Sequence, residues 1–311
     1  MLISIVIPVY NGAKTVQPLA RRLVELLGPQ DLQIVLINDG SQDDSDAVCR
    51  ELHRELPAVI TYLNLARNFG EHNAVMAGLN HARGQYVVIM DDDFQNPPEE
   101  VPGLIRQAVE GDFDVVYTYY AEKKHHWFRN LGSRFNNFFA HFMLNKPLGL
   151  YLSSFKCLNR FMVNEIIKYK GYCPYIDGLV LRTTRNIGQM LVRHDQRREG
   201  RSGYNLRKMV GLYFNMLVNF SVIPLRISFV LGIIFSLMGL LGSLAVIVNK
   251  LVHPNEELGW SSLIASVLTF SGVQLLILGL VGEYVGRLLL NANNSPQFVV
   301  RDKRDRKDDH G

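Results

Sequence analysis

Two apolar stretches near the C-terminus, 227–249 and 261–282, constrain this chain more than any other feature. Each has the roughly 20 residues a helix needs to cross a bilayer, and neither contains a charged side chain. One charge at the centre of a span would cost about 2.5 kcal/mol or more. The pattern predicts a two-helix membrane hairpin. The charges around it set an orientation. Arg197, Arg198, Arg201, Arg207, Lys208 and Arg226 precede the first stretch, and Arg287, Arg301, Lys303, Arg304, Arg306 and Lys307 follow the second. The short connection carries Lys250 against Glu256 and Glu257. An excess of Lys and Arg marks the cytoplasmic side, so both termini are expected in the cytoplasm. The net charge of +4 is therefore read as an attraction to anionic lipid, and no nucleic-acid partner is expected.

The rest of the 311 residues reads as an α/β unit. The run 2–9 is rich in Ile and Val on both faces, as a central parallel strand is. Helical spacing follows over 14–27, then a strand over 32–38 and a helix over 43–56. The alternation continues with 59–65, 70–82, 86–90, 98–110 and 114–119. Strand and helix at this spacing predict a doubly wound sheet, whose ligands bind beyond the carboxyl ends of the strands. Three of those ends are polar: Tyr10-Asn11, Asp39, and Asp91-Asp92-Asp93. No glycine triplet separates the first strand from its helix, which disfavours a nicotinamide or flavin enzyme. Cys49, Cys157 and Cys173 lack metal-ligand spacing and read as inert thiols.

Two segments have the periodicity of amphipathic helices. In 127–145, Phe135, Phe138, Phe139 and Phe142 share one face, near Arg129 and Arg134. That stripe fits a core-facing helix or one lying on a membrane, and the neighbouring spans favour the second. The segment 205–221 reads the same way until Pro224. The segment 291–311 mixes charges without apolar periodicity and is expected to be mobile in part.

Three adjacent aspartates at a strand end repel one another unless a cation joins them. Alone, such a triplet is more often a solvated turn. Here Gln95-Asn96-Pro97-Pro98 follows, and Asp39 stands at a neighbouring strand end. Hard oxygen donors on a short loop suit Mg²⁺ or Mn²⁺, with phosphate oxygens completing the shell.

Several motifs in order then give a resemblance. Ile5-Val6-Ile7-Pro8-Val9-Tyr10-Asn11, Asn38-Asp39-Gly40-Ser41, Arg67-Asn68-Phe69-Gly70 and the Asp91–Pro98 run resemble those of family 2 glycosyltransferases with the GT-A fold. The subgroup it resembles most is the polyprenyl-phosphate glycosyltransferases, through Trp127-Phe128-Arg129, Ser202-Gly203-Tyr204 and the run from Gly279 to Arg287. The resemblance implies a nucleotide-sugar core over 1–125, an acceptor region with interface helices over 126–225, two membrane helices over 226–290 and a cytoplasmic tail over 291–311. It also implies inverting transfer of a sugar, from a UDP-sugar, to polyprenyl phosphate at the cytoplasmic membrane. Pro8, Tyr10, Asn11 and Asp39 would hold the nucleotide. Asp91 and Asp92 would lie near its ribose and diphosphate, and Arg197 and Ser202 would close over the donor. Asp93 and Gln95, with Asp91, would bind Mg²⁺ or Mn²⁺. Arg129, Arg134 and Arg201 would receive the lipid phosphate. The glycine-bearing spans and the resemblance are compatible with a homotetramer.

Three departures stand out: Asn11 replaces a common Glu, Gly203 a frequent Lys, and Gly149-Leu150-Tyr151 stands where the family often has a Gly-Asp-aromatic turn. Asp177 is the candidate replacement carboxylate, and a turn or cap Asp is its plainer reading. Two other functions fit parts of the pattern. A processive polysaccharide synthase would carry more spans and a Gln-x-x-Arg-Trp segment, which the sequence lacks. An inactive membrane scaffold is the other, suggested by Leu150.

Overall fold

The computed structural model describes residues 1–120, 149–172, 174–193, 223–252, 260–293 and 295–306, with part of the side chains in the two long C-terminal helices. It divides into two units, 1–203 with 294–311, and 204–293.

The first unit is built on an eight-stranded mixed sheet. Its strands are β1 (Ile3–Val9), β2 (Leu32–Asn38), β3 (Ile60–Leu65), β4 (Tyr86–Ile89), β5 (Val115–Tyr120), β6 (Lys156–Asn159), β7 (Ile187–Val192) and β8 (Val300–Arg304). Their order across the sheet is β7-β5-β6-β4-β1-β2-β3-β8. β2 is buried along its whole length, with an apolar run over 34–37 and the buried Gln33 hydrogen-bonded to Ser4 and Thr61. β1 pairs in parallel with β2 on one side, Val9 opposite Asn38, and with β4 on the other, Val6 opposite Ile89.

Helices cover the sheet: α1 (Val16–Leu27), α2 (Ser45–Glu55), α3 (Glu71–His81), α4 (Val101–Glu110), α5 (Arg160–Ile166) and α6 (Ile176–Thr183). α1 shows the cause of its own placement. Val16, Leu19, Ala20 and Leu23 are buried at helical spacing, and Gly28 ends the helix at φ 75°. Before α4 the chain makes one 3₁₀ turn, Pro98–Glu100, where proline at a helix start costs no hydrogen bond.

Two expectations are corrected. The sheet is not the plain parallel array of a doubly wound fold, because β6 lies antiparallel between β4 and β5. The charged C-terminal segment contributes β8, antiparallel to β3. Backbone pairing holds this strand, and Arg50 grips Asp302 at 2.5 Å from α2. Its alternating charges suit a sheet edge, where they discourage further pairing.

The second unit holds two helices in contact, α7 (Ile223–Val252) and α8 (Trp260–Ala292). Large apolar side chains stand exposed on both, including Phe229 at 70% and Leu276 at 76%. Among the described residues no helix is long and apolar enough to cross a membrane. The segments 127–145 and 205–221, read as amphipathic helices, lie outside the described residues.

Candidate active site

β1 is the turning point of the sheet: one crossover leads to β2 on its one side, while β4 lies on the other. A crevice opens beyond the carboxyl ends at such a point. The residues after β1 and β4 meet there. Gly12 follows β1, and a β-carbon on it would stand 1.8 Å from Asp92 Oδ2. Glycine is what lets the acidic loop approach.

The loop after β1 is stapled to the loop after β2. Asn11, at φ 55°, accepts a hydrogen bond from the Gln42 N–H at 2.8 Å and donates its own N–H to Ser41 Oγ at 3.0 Å. Gly12 and Ala13 donate to Ser45 Oγ and Asp43 Oδ2. Pro8 lies within β1 opposite Ile37, and the Tyr10 ring is half-exposed at the strand end. The buried Asp39 carboxylate accepts the N–H groups of Phe69 at 2.7 Å and Gly70 at 2.9 Å. Burial raises its pKa, and these two hydrogen bonds oppose the rise. Asp39 thus ties the second strand end to the Arg67-Asn68-Phe69-Gly70 loop, where Arg67 lies over the Phe69 ring.

Beyond β4, Asp91 Oδ2 accepts a hydrogen bond from Ser154 Oγ at 2.7 Å. The buried Asp93 turns back to accept the Gln95 N–H at 3.0 Å. Between them Phe94 holds φ 59°, a left-handed backbone that is uncommon for an aromatic residue. Strain of this kind concentrates at functional loops.

Asp177 is placed differently from a solvent-facing base. Its Oδ1 forms a buried ion pair with Lys156 and accepts the Tyr117 hydroxyl at 2.8 Å. The Lys156 ammonium also lies 5.1 Å from the Tyr117 ring centre. Leu150, in the turn that lacks an aspartate, is buried, and a little further on Ser154 donates to the acidic loop.

Sequence reading missed Glu71, Lys156, Ser154 and the role of Gly12. Glu71 opens α3 directly after the Arg67–Gly70 motif and is reached by solvent although protein surrounds it. Burial raises its pKa to about 7, helped by Asp91, Asp177 and Asp93 and opposed by Lys156. Lys156 interrupts an apolar run between Phe155 and Cys157, which is the signal of a buried cation awaiting a carboxylate. Behind Glu71, His72 meets the Tyr175 ring edge to face at 5.3 Å, and burial lowers its pKa. Cys49 and Cys157 are buried, and burial pushes both thiols up. Arg129, Arg134, Arg197, Arg201 and Ser202 lie outside the described residues.

Among the described residues, no group of three or more His, Cys, Asp or Glu is placed to hold a metal ion alone. The donor chemistry nevertheless fits a hard divalent ion shared with phosphate oxygens. Asp91 and Asp93 raise the proton affinity of Glu71, and a cation relieves that repulsion.

Comparison with known proteins agrees with this geometry. Residues 4–167 match the glycosyl transferase family 2 model, and 223–288 match the GtrB C-terminal hairpin. An undecaprenyl-phosphate 4-deoxy-4-formamido-L-arabinose transferase from Sodalis glossinidius (strain morsitans) is 34% identical over 304 residues, covering 96% of this chain and 93% of that protein. The transferase of the same name from Enterobacter sp. (strain 638) is 32% identical over 307 residues, covering 96% and 92%. Among solved structures, glucosyl-3-phosphoglycerate synthase from Mycobacterium tuberculosis in complex with UDP aligns at TM-score 0.52 and 18% identity, over 70% of this chain and 78% of that one. The same enzyme with Mn²⁺, UDP-glucose and phosphoglyceric acid aligns at TM-score 0.51 and 17% identity, over 70% and 77%. These solved structures share the GT-A-like α/β fold. With more than half its length matched to one family model and its relatives spanned almost end to end, the chain belongs to glycosyl transferase family 2.

Proposed function

We propose that this protein transfers a sugar from a nucleoside diphosphate, UDP, to undecaprenyl phosphate at the cytoplasmic face of the membrane. The observation that carries the reading is the meeting of Gly12 with the acidic loop at the turning point of the sheet. Ligands of open α/β sheets bind at that point, and carboxylates there suit an ion bound through a diphosphate. The names of the relatives supply the acceptor class. The exposed apolar faces of α7 and α8 support burial in lipid, since a surface of that extent is unusual in water. The charge asymmetry around the hairpin supports both termini in the cytoplasm.

In this reading Tyr10 and the Asn11 and Asp39 loops frame the nucleotide, and Asp91, Asp93 and Gln95 face its diphosphate. Mg²⁺ or Mn²⁺ held by these residues would neutralise charge on the departing nucleoside diphosphate. Arg129, Arg134 and Arg201 would hold the acceptor phosphate by bidentate hydrogen bonds, and Arg197 and Ser202 would close over the donor. A phosphate oxygen attacks the anomeric carbon from the face opposite the leaving group. One carbon–oxygen bond forms as the other breaks, the configuration inverts, and the electron pair departs on the diphosphate. A phosphate dianion is already a nucleophile, so this step calls for positioning more than for a base. Asp177, paired with Lys156, then serves as a counter-ion beneath the crevice. The hairpin keeps the enzyme beside a substrate that cannot leave the bilayer, raising its effective concentration.

Full-length protein in nanodiscs, supplied with Mn²⁺, undecaprenyl phosphate and a panel of nucleotide sugars, is expected to form sugar-phosphate lipid and release nucleoside diphosphate. Failure to load any sugar onto any isoprenoid phosphate would refute the proposal. Asp93→Ala is expected to abolish turnover.

A further inference from the structure

The acidic loop is held from outside by the segment that leads into β6. Residues 153–155 lead into β6, and they are stitched to the 91–96 loop at two points. Ser154 Oγ donates to Asp91 Oδ2 at 2.7 Å. The Tyr120 hydroxyl donates to Asn96 Oδ1 at 2.8 Å and lies 3.3 Å from Ser153 Oγ. Ser153 is itself fixed, because its hydroxyl oxygen accepts the Phe155 N–H at 3.1 Å and lies 3.0 Å from Thr118 Oγ1. Thr118 Oγ1 also lies 2.8 Å from the Phe155 carbonyl. The serine pair is therefore a rigid bracket on the sheet, not a free loop.

The two serines differ in exposure. Ser153 is buried and satisfied within the bracket, whereas Ser154 is half-exposed and spends its hydroxyl on a carboxylate of the acidic loop. A neutral hydroxyl donor orients a carboxylate without cancelling its charge. One Asp91 oxygen is thereby fixed, which sets the direction of the other.

We propose that Ser154 is a positioning residue for glycosyl transfer, its hydroxyl setting the Asp91 carboxylate in the orientation that receives the ion-bound nucleoside diphosphate. The inference rests on the functional reading above and deepens it.

The test compares wild type, Ser154→Ala and Ser154→Thr as full-length protein in nanodiscs. Mn²⁺ affinity is measured alone by electron paramagnetic resonance, UDP affinity by calorimetry across a Mn²⁺ titration, and turnover by nucleoside diphosphate release. Ser154→Ala is expected to weaken Mn²⁺-dependent UDP binding by about tenfold and to move the Mn²⁺ midpoint upward. The KM for the nucleotide sugar rises, while the KM for the lipid phosphate and the unfolding temperature stay near wild type. Ser154→Thr, which keeps the hydroxyl, restores the Mn²⁺ midpoint. With an active wild type, an alanine variant that keeps the wild-type Mn²⁺ and UDP titrations overturns the inference alone. So does a threonine variant as impaired as alanine. A wild type that binds neither Mn²⁺ nor UDP overturns the functional reading together with the inference built on it.

Discussion

Gly12 makes the room that Asp92 fills: a β-carbon on residue 12 would come within 1.8 Å of Asp92 Oδ2 and 2.9 Å of its Cγ. The oxygen it would strike is buried, so the carboxylate has to rotate out and carry the acidic loop with it. Gly12→Ala is expected to cost about 1–3 kcal/mol of stability, the usual penalty for overfilling a packed site. It should also weaken UDP binding more than it lowers the unfolding temperature. Calorimetry and thermal unfolding of the same sample check both. Unchanged UDP affinity would show that this contact plays no part in donor binding.

The buried Lys156–Asp177 pair gives a second expectation. Removing either partner leaves an uncompensated charge, so Lys156→Met and Asp177→Asn should each destabilise by about 3–5 kcal/mol. The double variant Lys156→Met/Asp177→Asn should lose less than the two singles together, since neither charge is then stranded. Tyr117 can still donate to the new amide oxygen. Denaturant unfolding of the four proteins measures the coupling. Strict additivity would contradict the ion pair, and near-normal turnover in folded Asp177→Asn would leave Asp177 a counter-ion only.

The parts of the fold that follow from apolar periodicity were legible. β2 was read with its observed ends, and α1, α2, α3 and the strands around them shifted by one or two residues, the usual uncertainty of helix and strand termini. What stayed hidden depends on partners distant in sequence. β6 is four residues long and takes its place between β4 and β5 only when the intervening chain returns. β8 has no apolar pattern, because hydrogen bonds to β3 and the Arg50–Asp302 contact hold it. The site divides in the same way. Aspartates at a strand end announce themselves, but Ser154 carries no signal, and Glu71 has meaning only once Asp91, Asp93 and Asp177 surround it.

Glu71 predicts a pH dependence. In the folded chain its carboxyl holds its proton up to about 7, against an ordinary 4.5, chiefly through burial and then through Asp91. Between those values the folded state binds more protons than the unfolded state, so this group makes stability fall as pH rises. The loss begins near 4.5 and is complete above about 7. Asp39, raised by burial, acts in the same direction at its own titration. Glu71→Gln should flatten the decline in unfolding temperature between pH 5 and 7.5, and should stabilise the protein at pH 8 but hardly at pH 5. Mn²⁺ with UDP should stabilise wild type more at pH 8 than at pH 5.5, because the cation favours the charged carboxylates. Parallel melting curves for variant and wild type across this range would contradict the assignment.

The last expectation concerns the strap that follows the hairpin. Gln297 is buried, and its amide nitrogen donates to the Tyr169 carbonyl at 2.9 Å and the Gly171 carbonyl at 2.7 Å. Two residues on, the Val299 carbonyl accepts the Ala66 N–H at 2.8 Å, and the Arg301 guanidinium donates back to the Ala66 carbonyl at 3.2 Å. Ala66 precedes the loop whose amides hold Asp39, and Gly171 precedes the segment bearing Tyr175 and Asp177. The strap thus clamps both chain segments that border Glu71. Gln297→Ala takes the donor from two part-buried carbonyls and should cost about 1–2 kcal/mol. Its effect should also reach the crevice, as faster hydrogen exchange at the Phe69 and Gly70 amides and a weaker UDP affinity. Gln297→Glu should be worse than alanine, because its carboxylate donates nothing and sets a negative charge against both carbonyl oxygens. Hydrogen exchange by mass spectrometry on all three proteins decides the matter: wild-type protection over 66–71 in both variants would confine Gln297 to local stability.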